Sequence, residues 1–462
     1  MKTKKGRKPS KNGHVQVSKL PSKPKNNVSY WINSPNGKPE YTHSLFRFPA
    51  KFHPPIVRWA LDNYSTKSSK VLDPFTGSGT VQVESLVRGI PSIGIDVDPL
   101  ACLITKAKVT PVNPKRLASA FERFKSTLER SAQLHNVAKS TAGGDITEAQ
   151  YERESHNLHI PNLPNIKHWF RQYVIIDLAK LFRAIENGKL TTAEKNFFRA
   201  CAAACIRRVS NADPAPVSGL EVTKIQAKLN LTRKIDVFGV FFSKTGQEIE
   251  NMGRLWEAYK DLGKDIKAKV INGDMLEILK SPNKSSKAEQ NFSLVITSPP
   301  YCRAVEYSRR HQLEMYWLNL IDNQQEHIDL THSYIGRKLV RLSDWDEDIE
   351  FGIPALDKTI EKISRKDINK SRTVKHYFFS IRKTLESLQG VLTEDGTAIL
   401  VLGNSVCCNV PIPTAEFISA LASDSFKVVR KFSYALQNHH MQYGLWNGDG
   451  IKHEHVLVLK HK

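Results

Sequence analysis

The sequence predicts an α/β protein: a mostly parallel sheet of about seven strands, interrupted by a large helical insertion. Three observations carry this. Short apolar runs of strand length alternate with helical patterns. Between residues 70 and 96 a strand, a glycine turn, a helix and a second strand follow one another, which makes a βαβ unit and hence parallel pairing. From about residue 113 to 265 apolar residues recur at three- and four-residue spacing, the pattern of packed helices, before the α/β rhythm resumes.

In chain order, the ordered part is expected to begin near Tyr30-Trp31, after a basic, disordered tail at 1–27. Pro54-Pro55 open a helix with Ile56, Trp59, Ala60 and Leu61 as its apolar positions. The strand 70–73 (KVLD) runs into the turn Gly77-Ser78-Gly79 and a helix from Val81 to Arg88. The strand 92–96 (SIGID) leads to a helix starting around Pro99. Helices are expected over 114–139, 165–187, 193–210 and 246–262, with 211–235 as a loop or a loop with short strands. Strands resume at 268–271 and 292–297 and, after a second, smaller insert at about 320–385, at 397–402, 427–435 and 455–459. The main domain would thus comprise 28–112 and 266–462, with 113–265 as the insertion.

At 462 residues and 40% hydrophobic content the chain can bury a large core, and no apolar run reaches membrane-span length. The basic start has no apolar segment of the kind a secretory signal needs. Six scattered cysteines include no CxxC pair and read as reduced thiols in a cytoplasmic protein. His439-His440 and His453/His455 lack carboxylate or cysteine partners at ligand spacing, so no metal is expected. Net charge is +22 and the pI near 9.6. Residues 1–27 hold nine Lys/Arg and no acid, and the body is basic as well. That composition points to a polyanionic partner, and by itself suits a ribosomal or RNA-binding protein equally.

VLDPFTGSGT at 71–80 is a buried strand ending in Asp73 that turns through glycines into a helix. Glycines allow close backbone approach, and a helix N-terminus offers free N–H groups, as nucleotide cofactors require. The next strand ends in Asp96, about 20 residues on, where an acid can bind a ribose diol. The third glycine of the dinucleotide fingerprint is missing, Val81-Gln82 standing there, and there is no Walker lysine. S-adenosyl-L-methionine (SAM), which has no pyrophosphate, is favoured over NAD and ATP.

Leu294–Tyr301, LVITSPPY, is the most specific signal. A buried strand runs into Ser298-Pro299-Pro300-Tyr301, where the prolines fix φ and remove donors, aiming carbonyls and one hydroxyl at a common point. An exocyclic amine on an aromatic base is a poor nucleophile until acceptors hold its protons. Tyr301 offers a flat face on which a base could stack. A rigid strand-end turn with an exposed tyrosine is the bland alternative. Cysteine-nucleophile chemistry at carbon 5 of cytosine is excluded, because no Pro-Cys dipeptide occurs.

On these two motifs the chain resembles the DNA amino-methyltransferases, and TSPPY is similar to the form favoured by cytosine-N4 enzymes. The resemblance implies a class I SAM-methyltransferase (Rossmann-like) fold and direct in-line methyl transfer to N4 of cytosine in DNA, on a flipped-out base where the DNA is duplex. It puts Ser298, Pro299, Pro300 and Tyr301 at the target amine. Asp73, Pro74, Phe75, Thr76, Gly77 and Gly79 fall on the SAM turn, Asp96 on the ribose and Asp274 on the adenine amine. Lys51 and Phe52, in PAKF, fall on the segment closing over the methionine end. VLGNSVCCNVPIPT at 401–414 resembles the strand and loop bordering the target pocket. Adenine-N6 relatives more often carry Asp or Asn in place of Ser298.

The partners implied are DNA and a cognate restriction endonuclease, in a nucleoid-associated setting. Arg207, Arg208 and His168-Trp169-Phe170 in the insertion are candidate DNA contacts, with helix packing the alternative for Trp169 and Phe170. Arg309 and Arg310 would hold phosphates beside the flipped base or lie on a solvated face. The competing functions are an adenine-N6 DNA or RNA methyltransferase of the same fold and a non-catalytic nucleic-acid-binding scaffold.

Overall fold

All seven expected strands form, and two more join them in one nine-stranded sheet. The computed structural model describes residues 13–33, 40–49, 51–132, 136–214, 219–263, 265–280, 291–303, 305–436 and 451–462. Its strands are β1 (Val15–Val17), β2 (Ser29–Ile32), β3 (Val71–Asp73), β4 (Ser92–Asp96), β5 (Ala268–Asn272), β6 (Phe292–Thr297), β7 (Leu392–Gly403), β8 (Ser405–Cys407), β9 (Val410–Ile412), β10 (Phe426–Ala435) and β11 (His453–His461). The sheet order is β1-β2-β10-β11-β7-β6-β3-β4-β5, while β8 and β9 make a separate hairpin. Strands β7, β6, β3, β4 and β5 run parallel, and β11 is antiparallel to both β7 and β10.

The count of about seven strands is therefore corrected to nine, and within the stretch 1–27 that was expected to be disordered the described residues include β1. From residue 13 onward the chain is described, and β1 pairs in parallel with β2, which pairs with β10. Apolar residues outweigh the basic charge there. Leu20, Tyr30, Trp31 and Ile32 are buried, and the Trp59 indole donates to the Pro21 carbonyl at 2.9 Å. A three- or four-residue strand carries too little periodicity to be read from sequence.

The central strands are buried on both faces, so successive residues feed two cores. Leu72, Val295, Leu400 and Leu457 pack beneath the helices Pro354–Ser364, Ile368–Val391 and Thr414–Ala422. Their neighbours Val71, Leu294, Ile296, Val401 and Val456 pack against the helix Pro54–Tyr64. That helix starts on two prolines, at positions whose N–H groups have no intrahelical acceptor in any case.

Between β4 and β5 the chain is helical, as expected. The helices are Pro114–Ala132, Asn136–Ser140, Glu148–Ser155, Ile166–Trp169, Gln172–Glu186, Thr192–Val209, Lys224–Asn230 and Val237–Asp261. All of them except Lys224–Asn230 share one core with the helix Pro99–Val109 of the main domain. Two differences from expectation lie in capping. Within 211–235 a short helix, Lys224–Asn230, is started by the Thr223 hydroxyl, which accepts from the Gln226 N–H. The last helix begins at Val237 rather than 246, because Asp236 caps it through the Gly239 N–H. Among the described residues, no helix is long and apolar enough to cross a membrane.

Candidate active site

The chain passes from β3 to β4 and β5 on one side and returns to β6 on the other. The point where strand order reverses lies between β3 and β6, and ligands of open α/β sheets bind outside the carboxyl ends of strands at such a point. A cavity opens there, with about 820 Å³ of empty space counted out to solvent. Its lining brings together Lys51, Phe52, Asp73, Pro74, Phe75, Thr76, Gly77, Asp96, Asp274, Ser298 and Pro300. Residues separated by more than two hundred positions thus meet on one wall.

The polar side is built on strand ends. Asp73 closes β3, and its Oδ1 accepts from the Thr297 hydroxyl at 2.7 Å and from the Phe75 N–H at 3.2 Å. Asp96 closes β4 and accepts from the N–H groups of Gly77 (2.7 Å) and Asp98 (2.9 Å). Burial raises both carboxyls to about 7, for Asp96 with help from the Asp98 charge. Asp274 follows β5 and caps the helix Met275–Lys280 through the Leu276 N–H. Lys51 turns inward to donate to the His43 carbonyl at 2.6 Å, and burial lowers its ammonium to about 8.

The glycine turn is held from behind. Gly79, which does not line the cavity, is the N-cap of the helix Thr80–Leu86 at φ 73°. A Cβ on it would come within 2.6 Å of Thr105, so this position needs glycine for both conformation and space. The Thr105 hydroxyl and the fully buried Lys108 ammonium tie back the carbonyls of Gly77 and Ser78. These two supports were missed in the sequence, where they sit as ordinary helix positions.

The cavity also has an aromatic wall that sequence reasoning did not find. Phe48, Tyr307 and Tyr334 line it, with Phe48 stacked on Tyr307 (5.7 Å, 26°) and Tyr307 on Tyr334 (6.4 Å, 9°). Behind it, His311 Nδ1 stands 2.8 Å from Asp98 Oδ2 while the His311 ring packs on Phe48 at 4.8 Å. The only sequence signal was the proximity of Phe48 to PAKF and of Tyr307 to SPPY.

At the end of β6, Ser298 lines the cavity, its Oγ donating to the Val401 carbonyl (3.2 Å) or to the Tyr301 oxygen (3.4 Å), while Pro299 is buried behind it. Tyr301 departs from expectation. It does not line the cavity and is only 8% exposed. Its ring lies against Gly403, where a Cβ would come within 2.9 Å, and its hydroxyl donates to Glu454 at 2.5 Å. Burial and a carboxylate partner, rather than exposure for stacking, define its place.

The arginines divide. Arg207 donates to the carbonyls of Asp213 (3.0 Å), Gly219 (2.8 Å) and Arg310 (3.3 Å), clamping a loop. Arg310 is buried and lowered to about 10 by that burial, so it is not on a solvated face. Arg208 and Arg309 are exposed, although Arg309 also donates to the Leu220 carbonyl at 3.3 Å. Phe170 is 1% exposed and Trp169 packs beside it in the insertion core. Helix packing accounts for both, and His168 is exposed. His439 and His440 lie outside the described residues. Among the described residues no group of three or more His, Cys, Asp or Glu is placed to hold a metal.

The donor set fits SAM. Two carboxyls that keep their protons up to about pH 7, facing one cavity, are returned to the charged form by a nearby cation such as a sulfonium or an α-ammonium. Asp96 and Asp274 keep acceptor capacity for hydroxyl or amino donors. Fold and cavity together are those of an α/β protein that binds its ligand at the carboxyl ends of a mostly parallel sheet. Comparison with known proteins narrows the class. The family model for DNA methylases of the N6/N4 type matches residues 1–107. The Type II methyltransferase M.MvaI of Kocuria varians is 25% identical over 417 residues, covering 88% of this chain and 86% of that protein. M.AvaI of a Nostoc species is 21% identical, covering 86% and 80%, and M.BsoBI of Geobacillus stearothermophilus is 25% identical, covering 63% and 55%. A solved rRNA methyltransferase, aviRa from Streptomyces viridochromogenes, overlaps with a TM-score of 0.32 at 10% identity, over 92% of this chain and 88% of its own. These matches liken the chain to the DNA amino-methyltransferases and support S-adenosyl-L-methionine as its methyl donor.

Proposed function

We propose that this protein methylates DNA at the exocyclic N4 amine of cytosine, with Ser298 as the acceptor for that amine. The observation that carries the reading is the position of Ser298 on the same cavity wall as Asp73, Asp96 and Asp274. SAM, when bound, supplies a methyl group made electrophilic by its sulfonium. The protein's own residues do the rest. Asp73 and Asp96 hold the cationic and hydroxyl-bearing parts of the donor, and Lys51 attracts its carboxylate. The Ser298 hydroxyl gives its proton to the Val401 carbonyl (3.2 Å) or the Tyr301 oxygen (3.4 Å), leaving lone pairs for an amine N–H. Holding that N–H favours a pyramidal nitrogen and frees its lone pair for in-line attack. A duplex target must be flipped out, at a cost of roughly a few kcal/mol. The Type II naming of the relatives supports a restriction-modification role with a cognate endonuclease as partner.

The preference for cytosine rests on serine at position 298. Incubating the purified protein with SAM and DNA and analysing nucleosides by mass spectrometry tests it. N4-methylcytosine is expected. N6-methyladenine would retain the chemistry and overturn the base assignment, and methylation of RNA alone would overturn the DNA assignment.

A further inference from the structure

We infer that Glu454 is a positioning residue for methyl transfer, acting through Tyr301 to keep the Ser298 oxygen free to accept the target amine; this rests on the proposed role of Ser298. Three strand positions lie side by side at one level of the sheet. Gly403 on β7 pairs with Glu454 on β11, and Glu454 pairs with Tyr434 on β10. Together they form a seat for Tyr301. The missing side chain at 403 makes room for its ring, and Glu454 Oε1 takes its hydroxyl proton at 2.5 Å. The other carboxylate oxygen takes the proton of Tyr434.

The direction of these bonds carries the argument. An ionised carboxylate only accepts, so both phenol protons point at Glu454. The Tyr301 oxygen is then left as an acceptor toward Ser298, 3.4 Å away. Turned the other way, the Tyr301 proton would occupy a lone pair on the very oxygen that has to receive the amine. Glu454 is buried at 7% exposure, in a strand whose next four residues, Val456 to Leu459 after His455, are fully buried and apolar. A buried acid there is costly unless its hydrogen bonds are needed.

The groups facing Glu454 are phenols. Tyr301 and Tyr434 bond to it, Tyr307 lies near enough to feel its charge, and His53, stacked on Tyr434 at 5.9 Å, is lowered to about 4 by burial. Its strand neighbour His455 bonds Asn404 at 3.1 Å, and His453 packs on His14 at 5.0 Å. Burial raises the Glu454 carboxyl, with the two phenols opposing.

The test compares wild type, Glu454→Gln, Tyr301→Phe and the double variant, reading SAM affinity by titration and kcat against pH at saturating SAM. A glutamine side chain offers one acceptor and one donor group, so one phenol must turn. The expected result is unchanged SAM affinity and a kcat lowered roughly ten- to hundred-fold in Glu454→Gln. Its acid limb, present in wild type as Glu454 takes up a proton, should vanish, and no further loss should appear when the change is made on Tyr301→Phe. Wild-type kcat with an intact acid limb, losses that multiply in the double variant, or SAM affinity lost together with kcat would each overturn the inference. A wild type that binds SAM but methylates no nucleic acid would instead overturn the proposed function, and this inference with it.

Discussion

The Thr297 hydroxyl donates to Asp73 Oδ1 at 2.7 Å, joining the last residue of β6 to the last residue of β3. The two motifs read separately in the sequence are thus coupled by a buried bond just where the cavity begins. Thr297→Val removes the donor and leaves that carboxylate oxygen with the Phe75 N–H alone. A hydrogen bond to a charged group contributes about 1.5–3 kcal/mol. SAM affinity should therefore fall about ten-fold or more, and its pH dependence should move to higher pH. Titration calorimetry at several pH values checks both.

The same carboxyls set how the free protein responds to pH. Asp73 and Asp96 are raised to about 7 by burial, from an ordinary value of 3.8. Between those values the folded state holds protons that the unfolded state has lost, so stability falls as pH rises through the window. Cation binding favours the ionised forms, so SAM affinity should rise with pH up to about 7 and protons should be released on binding. Asp73→Asn should raise the melting temperature of the SAM-free protein above pH 7 by about 2 °C or more while abolishing tight SAM binding. A variant that melts below wild type at pH 8 would contradict this account of the site.

Ser298→Ala separates chemistry from binding. It removes the acceptor and leaves the β6 strand and the carboxylates intact, so SAM affinity should stay within about two-fold of wild type, because no hydrogen bond to the donor is lost. The rate should fall by about 10²–10³, the range for losing one well-placed polar group around a transition state. Single-turnover methyl transfer with labelled SAM reads the two quantities apart.

How much of this was legible in the sequence depends on the kind of signal. Strands buried on both faces, such as 292–297, and a turn ending in Gly79 leave their mark in consecutive residues, and so do the strand-end acids Asp73 and Asp96. Contacts between distant elements leave none. Glu454 looks like a polar interruption of the last strand until β10 and β7 are set beside it. Tyr301 looked exposed because SPPY ends a strand, and only the space at Gly403 reveals where its ring goes. The strands β1 and β2 were too short to show a period, and the burial of β2 comes from its place beside β10.

Arg207 and the exposed pair Arg208 and Arg309 should behave differently, although the sequence gives all three the same appearance. Arg207 spends its donors on three carbonyls, and its loss leaves buried acceptors without partners. Arg207→Ala should therefore lower stability by about 1–3 kcal/mol. Arg208→Ala should leave the melting temperature nearly unchanged, and Arg309→Ala, which gives up one 3.3 Å bond to the Leu220 carbonyl, should lower it only slightly. Each would weaken DNA binding, and the slope of log K against log salt should shrink by about 0.9 for every phosphate contact removed. Equilibrium binding to a DNA duplex across a salt series, beside chemical denaturation of each variant, distinguishes the clamp from the contacts. An unchanged salt slope in both exposed variants would move the DNA path away from these two side chains.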